Sequence, residues 1–428
     1  METTLTVLLR SQAVPMETLH QQYGALLELV RKLIGVVPNC DQYMEIWPPS
    51  FRTYNVLVPN FLNLPFALWG VSTSPDLIGL AMYVASRNAG CAYCSAHSTA
   101  FALRRGADPD KIARALDGEQ AGYTPGELAA MNVAKALARV PVEIKDSHRA
   151  ELQRHFSPAH VEWIVLGISM MGFLNKFMDA MGIELEGEVV GEVSALLGPS
   201  GWKAGKHQAS TDPPPARPTP VPGSTRAHGG ASLPRPDSFL SKLSLIPLIP
   251  SALSHDRQWT SGVPRAWPAV GKYLQEHTGT DFKVLSRLKH ERAIRAIAVV
   301  LRDNLDAGSS VVGLSIKSQV GIVFSTVVEN KPLADDIQRI AEKNRVRPDR
   351  LASLAQFARG NAQPPTLGDP QLTAALLLAR AASRSPTVID ESILDECRSS
   401  ELPAAAVVEI ITWISVLQMI HRLSSYYV

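Results

Sequence analysis

Cys91, Cys94 and His97 lie at three-residue intervals in the stretch Gly90-Cys91-Ala92-Tyr93-Cys94-Ser95-Ala96-His97-Ser98-Thr99. Two thiols so spaced can cycle between dithiol and disulfide, and a nearby imidazole can accept a thiol proton. The flanks read as helical. Ser74-Pro75-Asp76 has the form of an N-cap with proline at the first helical position, and Leu77 to Ser86 runs on without a breaker. Ala100 to Arg105 continues to Gly106, a residue suited to a helix C-terminus. On one helix Cys91, Cys94 and His97 would form a single stripe over its first turns, where exposed amides and the dipole favour a thiolate.

Other chemistries fit the same residues less well. Cys91, Cys94 and His97 supply three zinc ligands, with Cys40 or His148 as the fourth by residue type only. Ser95 stands where c-type haem attachment needs histidine. A thioredoxin-like site needs flanking strands, and no sustained period-two alternation is present. Two inert core cysteines are the plain structural alternative. Tyr93 reads as packing, and Cys40 and Cys397 are isolated.

The chain has 428 residues, long for a single core, so two domains are expected. A net charge of +2 implies no strong attraction to nucleic acid or to an anionic membrane. The apolar runs Val161–Leu174 and Ala404–Ile420 contain Glu162 and Glu409 and read as buried helices rather than membrane spans. The N-terminus lacks the basic and apolar regions of a secretory signal. Four cysteines are too few for a disulfide framework, which makes a cytoplasmic location the expectation.

Met16 to Val36 has helical spacing, while the prolines around Pro38, Trp47-Pro48-Pro49 and Pro59 suggest loop. Asp108-Pro109, Thr124-Pro125-Gly126-Glu127 and Ser157-Pro158 each open a helix, the last running to about Met181-Gly182. Its Trp163, Met170, Met171, Phe173, Phe177 and Met181 read as a core or interface stripe that would suit an apolar substrate if a pocket opened toward Cys94. Asn175, Lys176 and Asp179 read as a solvated or interface face. The expected fold is therefore all-α, with a helical domain over 1–200. A Pro- and Gly-rich linker over 201–236 separates it from a second helical domain over 237–428.

The second domain reads as a diverged copy of the first. Pro370, Pro386 and Pro403 each lie 245 residues beyond Pro125, Pro141 and Pro158. Pro348-Asp349-Arg350 lies 239 beyond Pro109-Asp110-Lys111, and at that offset Cys91, Cys94 and His97 fall on Asn330, Leu333 and Asp336. The frame is kept and the thiols are lost.

The run from Val84 to His97, preceded by Pro59-Asn60 and Ser74-Pro75, resembles the alkylhydroperoxidase D-like group of the carboxymuconolactone decarboxylase superfamily. The resemblance covers roughly Pro59 to Gly187. It implies a small all-α bundle that oligomerises, with Cys94 attacking a hydroperoxide, Cys91 resolving it and His97 taking the proton. It implies no metal or organic cofactor, and re-reduction by a dithiol partner such as a lipoyl or thioredoxin-like protein. Two positions depart from the family pattern: its histidine falls at Ser98 here, one residue after His97, and its relay glutamate falls at Gly79. The expected activity is thiol-dependent hydroperoxide reduction or disulfide exchange. The alternative is a non-enzymatic redox-sensing or scaffold protein.

Overall fold

The computed structural model describes residues 4–117, 121–209, 233–360, 362–366 and 368–427. Among them the regular structure is helical throughout, with no strand. Most of the expected helix starts have a visible cause. Thr124 Oγ1 accepts the Glu127 amide at 3.2 Å while Glu127 Oε2 accepts the Thr124 amide at 2.7 Å, closing a capping box over Pro125–Ala138. Asp108 and Ser157 cap Pro109–Arg114 and Pro158–Met181 by accepting the amides of Asp110 and His160.

The proline-rich segment after Trp47 is not loop but the helix Pro48–Phe61, with Pro48 and Pro49 at its first positions and Pro59 in its last turn. The first amides of a helix have no intrahelical partner, so prolines there break nothing.

Pro158–Met181 is the core element of the first half. It packs on Pro75–Asn88, on Ala92–Arg104, and most extensively on the terminal helix Ala404–Tyr427. Both of these 24-residue helices are apolar and long enough to cross a membrane, yet each is enclosed by the rest of the chain. Gly172 permits their close approach: a Cβ there would lie 3.0 Å from the Gln418 carbonyl oxygen.

Helix lengths recur between the halves. Pro48–Phe61, Pro75–Asn88, Ala92–Arg104, Pro125–Ala138 and Pro158–Met181 match Glu291–Asn304, Leu314–Val327, Lys331–Lys343, Pro370–Ser383 and Ala404–Tyr427 in order and in length. Pro48–Phe61 lies against Glu291–Asn304, as the two long helices lie against each other. Of the stretch read as linker, residues 210–232 lie outside the described residues. Residues 201–209 do not read through as linker, because His207 is buried and its carbonyl accepts the Leu185 amide at 2.8 Å.

Gly172→Val should destabilise the chain by about 1–3 kcal/mol through overpacking against the terminal helix. Chemical denaturation reads this directly, and an unchanged midpoint would show that the two long helices are not so closely packed.

Candidate functional site

Gly90, at φ +78°, turns the chain out of Pro75–Asn88 and delivers Cys91 in extended conformation as the N-cap of Ala92–Arg104. Cys91 therefore stands just before the helix rather than on its first turn. Its Sγ accepts the Cys94 amide at 3.3 Å, the role Ser or Asp plays elsewhere. At the equivalent place in the second half, Asn330 Oδ1 caps Lys331–Lys343 by accepting the Leu333 amide at 2.9 Å. The capping geometry is common to both halves, and only the first makes it with sulfur.

Both thiols are free and buried. Burial alone would push Cys91 up, but hydrogen bonding from Cys94 and the charge of His207 bring it down to about 6. Burial and the neighbouring Cys91 sulfur push Cys94 well up. The pair thus shares one proton near neutrality, resting on Cys94.

His207 was absent from the sequence-derived site because it lies in the stretch read as linker. Burial works against its charge, and Asp179 and Cys91 outweigh burial and lift it to about 9. Asp179 is held down, against burial, by His207, Lys206 and Thr387. Asp179, Lys176 and Asn175, expected on a solvated or interface face, are all buried. They do meet the other half of the chain: Lys176 Nζ donates to the carbonyls of Ser383 and Arg384 and to Ser385 Oγ. Burial, partly offset by Asp179, brings Lys176 down to about 7.

His97 Nε2 lies 2.8 Å from Glu186 Oε2. Glu186 is the residue before Gly187–Leu197, and its other oxygen accepts the Tyr93 hydroxyl at 2.8 Å and the Asn39 amide at 2.6 Å. Burial raises Glu186, but His97 and the Asn39 amide bring it below the ordinary carboxylate range. An ionised Glu186 makes Nε2 the donor and leaves Nδ1 as the nitrogen able to take a proton. Tyr93 is more than packing, since it joins this hydrogen-bond set and its ring lies 4.5 Å from that of His97. Gly79 could not carry a glutamate in this packing: a Cβ there would lie 2.7 Å from the Ala102 Cβ.

Cys94 and His97 line an apolar cavity of about 160 Å³. Met170, Met171 and Leu174 of the long helix form one wall, and Leu26, Val30 and Leu33 another. From beyond the linker, Ile249–Trp259 adds Leu253 and Trp259. Phe173, Phe177, Trp163 and Met181 are core. Cys40 also lines the cavity, while Cys397 lies apart in Glu391–Ser399. No group of three or more His, Cys, Asp or Glu able to hold a metal ion occurs among the described residues.

The shifts of Cys91 and His207 set a pH window. The Cys91 midpoint is lowered, so its contribution to folding is full above the ordinary thiol value and fades as pH falls through about 6. The His207 midpoint is raised, so its contribution is full below the ordinary imidazole value and fades as pH rises through about 9. The thiolate–imidazolium pair therefore exists between about 6 and 9. Ultraviolet thiolate absorbance, assigned by difference from Cys91→Ser, should titrate near the lower bound. In His207→Gln the midpoint should move toward the ordinary thiol range, and an unmoved curve would remove His207 from the site.

The carboxymuconolactone decarboxylase family model matches residues 60–136, inside the span of the resemblance. No curated protein matches the chain. Among solved structures, the apo debrominase Bmp8 aligns with TM-score 0.36 and 24% identity, over 39% of this chain and 88% of that one. An alanine variant of Bmp8 bound to 2,3,4-tribromopyrrole aligns with TM-score 0.38 and 20% identity, over 43% and 95%. The stretch that matches the carboxymuconolactone decarboxylase family, residues 60–136, holds Cys91, Cys94 and His97.

Proposed function

We propose that the chain is a thiol-dependent oxidoreductase that reduces hydroperoxides through Cys94 and Cys91. The observation that carries this reading is the division of labour between the thiols: Cys94 faces the apolar cavity with His97, while Cys91 faces a buried cation. Cys94 sulfur attacks the terminal oxygen of the hydroperoxide, breaking the O–O bond. The thiol proton goes to the departing alkoxide, by way of Cys91 or His97 Nδ1. This leaves a Cys94 sulfenic acid and an alcohol. Cys91 thiolate then attacks that sulfur, expelling hydroxide, which takes the His207 proton to leave as water. The products are a Cys91–Cys94 disulfide, an alcohol and water. A dithiol partner returns two electrons and two protons.

Glu186 is the carboxylate partner of His97 in this scheme, taking the place of a glutamate at Gly79. The half from 237 to 428 is a diverged copy of the first that keeps the helical frame without the thiols. A redox sensor without turnover is the second reading, favoured by the high midpoint that keeps Cys94 protonated at rest.

Peroxide consumption with a dithiol donor should fall to background in Cys94→Ser, and Cys91→Ser should accumulate a trappable Cys94 sulfenic acid. Equal inactivity of wild type and both variants, with a reversible Cys91–Cys94 disulfide, would transfer the case to the sensor. Glu186→Gln should lower kcat by roughly tenfold to a hundredfold with little change in KM, since Glu186 fixes the acceptor nitrogen rather than touching substrate. A selective rise in KM would instead place Glu186 in substrate binding.

A further inference from the structure

The second half has no thiols at the equivalent positions, yet its loop 383–387 lies against the thiol site. Pro386 sits on Gly90, the residue before Cys91, so closely that a Cβ on Gly90 would lie 2.9 Å from its ring. Beside it, Thr387 donates its backbone N–H and its hydroxyl to the same oxygen of Asp179, Oδ2, each at 2.7 Å. Asp179 is only 3% exposed, and this pairing leaves Oδ1 for cations. Lys206 Nζ is 2.9 Å from it and His207 Nε2 is 3.8 Å away.

The His207 tautomer follows from its other contact. Nδ1 lies 2.7 Å from the Ile183 carbonyl oxygen, which can only accept, so Nδ1 keeps its proton in every state. Nε2 is the nitrogen that titrates. It is buried, makes no hydrogen bond to a nitrogen or oxygen among the described residues, and faces Cys91 and Asp179. A carboxylate fixed beside Nε2 favours its protonated form, and the positive charge so formed favours the thiolate of Cys91. Contacts run from Thr387 to Asp179 and on to His207, whose charge acts on Cys91.

We propose that the loop 383–387 is a working part of the thiol site: by fixing Asp179 it positions the His207 imidazolium near Cys91, so the half that lacks the Cys91–Cys94 pair sets the reactivity of the half that has it. Thr387 and Asp179 are positioning residues, acting through His207. This deepens the thiol reading and rests on it only in taking Cys91 as a working thiol. The other charged or titratable groups around Cys91 are Cys94 on its own helix, Lys176 beside Asp179 on the long helix, Lys206 next to His207, and Arg422 from the terminal helix. Lys176 is also anchored by this loop, through Ser383, Arg384 and Ser385.

The test is the thiolate absorbance titration of the full chain, with thermal unfolding run on each variant as a check on folding. Thr387→Val keeps the shape and removes the hydroxyl, and should raise the Cys91 midpoint by roughly half to one pH unit. Thr387→Ser restores the hydroxyl and should titrate like wild type. Asp179→Asn removes the charge beside Nε2; Asp179 also repels the Cys91 thiolate directly, but that is the smaller effect, so the midpoint should still shift in the same direction. A folded Thr387→Val with the wild-type midpoint overturns the proposal. If that variant fails to fold, a wild-type midpoint in Asp179→Asn does the same. The absorbance needs no peroxide: loss of the shift with peroxidase activity intact sinks this inference alone, and a shift without any peroxidase activity sinks only the proposed function.

Discussion

A buried thiolate survives only where the protein replaces the water it has lost, and the neighbourhood of Cys91 is organised by that requirement. The Cys94 amide, the Cys94 thiol and the His207 imidazolium supply the replacement. The imidazolium is buried in turn and needs a carboxylate, which is Asp179. Asp179 needs its own donors, which come from Lys206 and from Thr387 of the other half. Each buried charge therefore calls for the next until the series ends in backbone amides and carbonyls. The same logic serves His97, where Glu186 is charged and buried and is met by Tyr93 and the Asn39 amide.

This arrangement depends on the two long helices. Pro158–Met181 carries Asp179 and Lys176 near its end, and Ala404–Tyr427 lies along it through the notch at Gly172. That contact brings the second half close enough for its 383–387 loop to reach the thiols. Apolar packing thus sets the distance at which the polar contacts form. Buried polar groups at such a junction add specificity to it, because a slipped register would leave Asp179 or Lys176 unpaired.

Cys94 lines the cavity, and Cys91 does not. Cys94 and His97 look toward Met170, Met171 and Leu174, while Cys91 looks toward His207. A helix N-cap is a natural place for this division. The cap side chain turns back over the amides, and the residue three positions on projects from the first turn. Asn330 makes the same cap in the second half through an amide oxygen, so the geometry does not require sulfur.

Local sequence signals were sufficient for much of the frame. The capping box at Thr124 and the Pro starts at Pro109 and Pro158 are read within a few residues, because helix ends are settled by local hydrogen bonds. The three-residue spacing of Cys91, Cys94 and His97 was legible for the same reason. The partners of those residues were not. Glu186 is 89 residues from His97, Asp179 is 208 from Thr387, and neither pair carries a spacing signal. His207 was hidden by a composition that reads as linker, although tertiary contacts fold it into the core of the site. The prolines after Trp47 misled because proline is judged by its position within a helix, and that position was not evident from the sequence. What the sequence alone determined was the helical frame and the thiol pair. What only the tertiary structure decided was which charges face that pair, since long-range burial leaves no periodic trace in the chain.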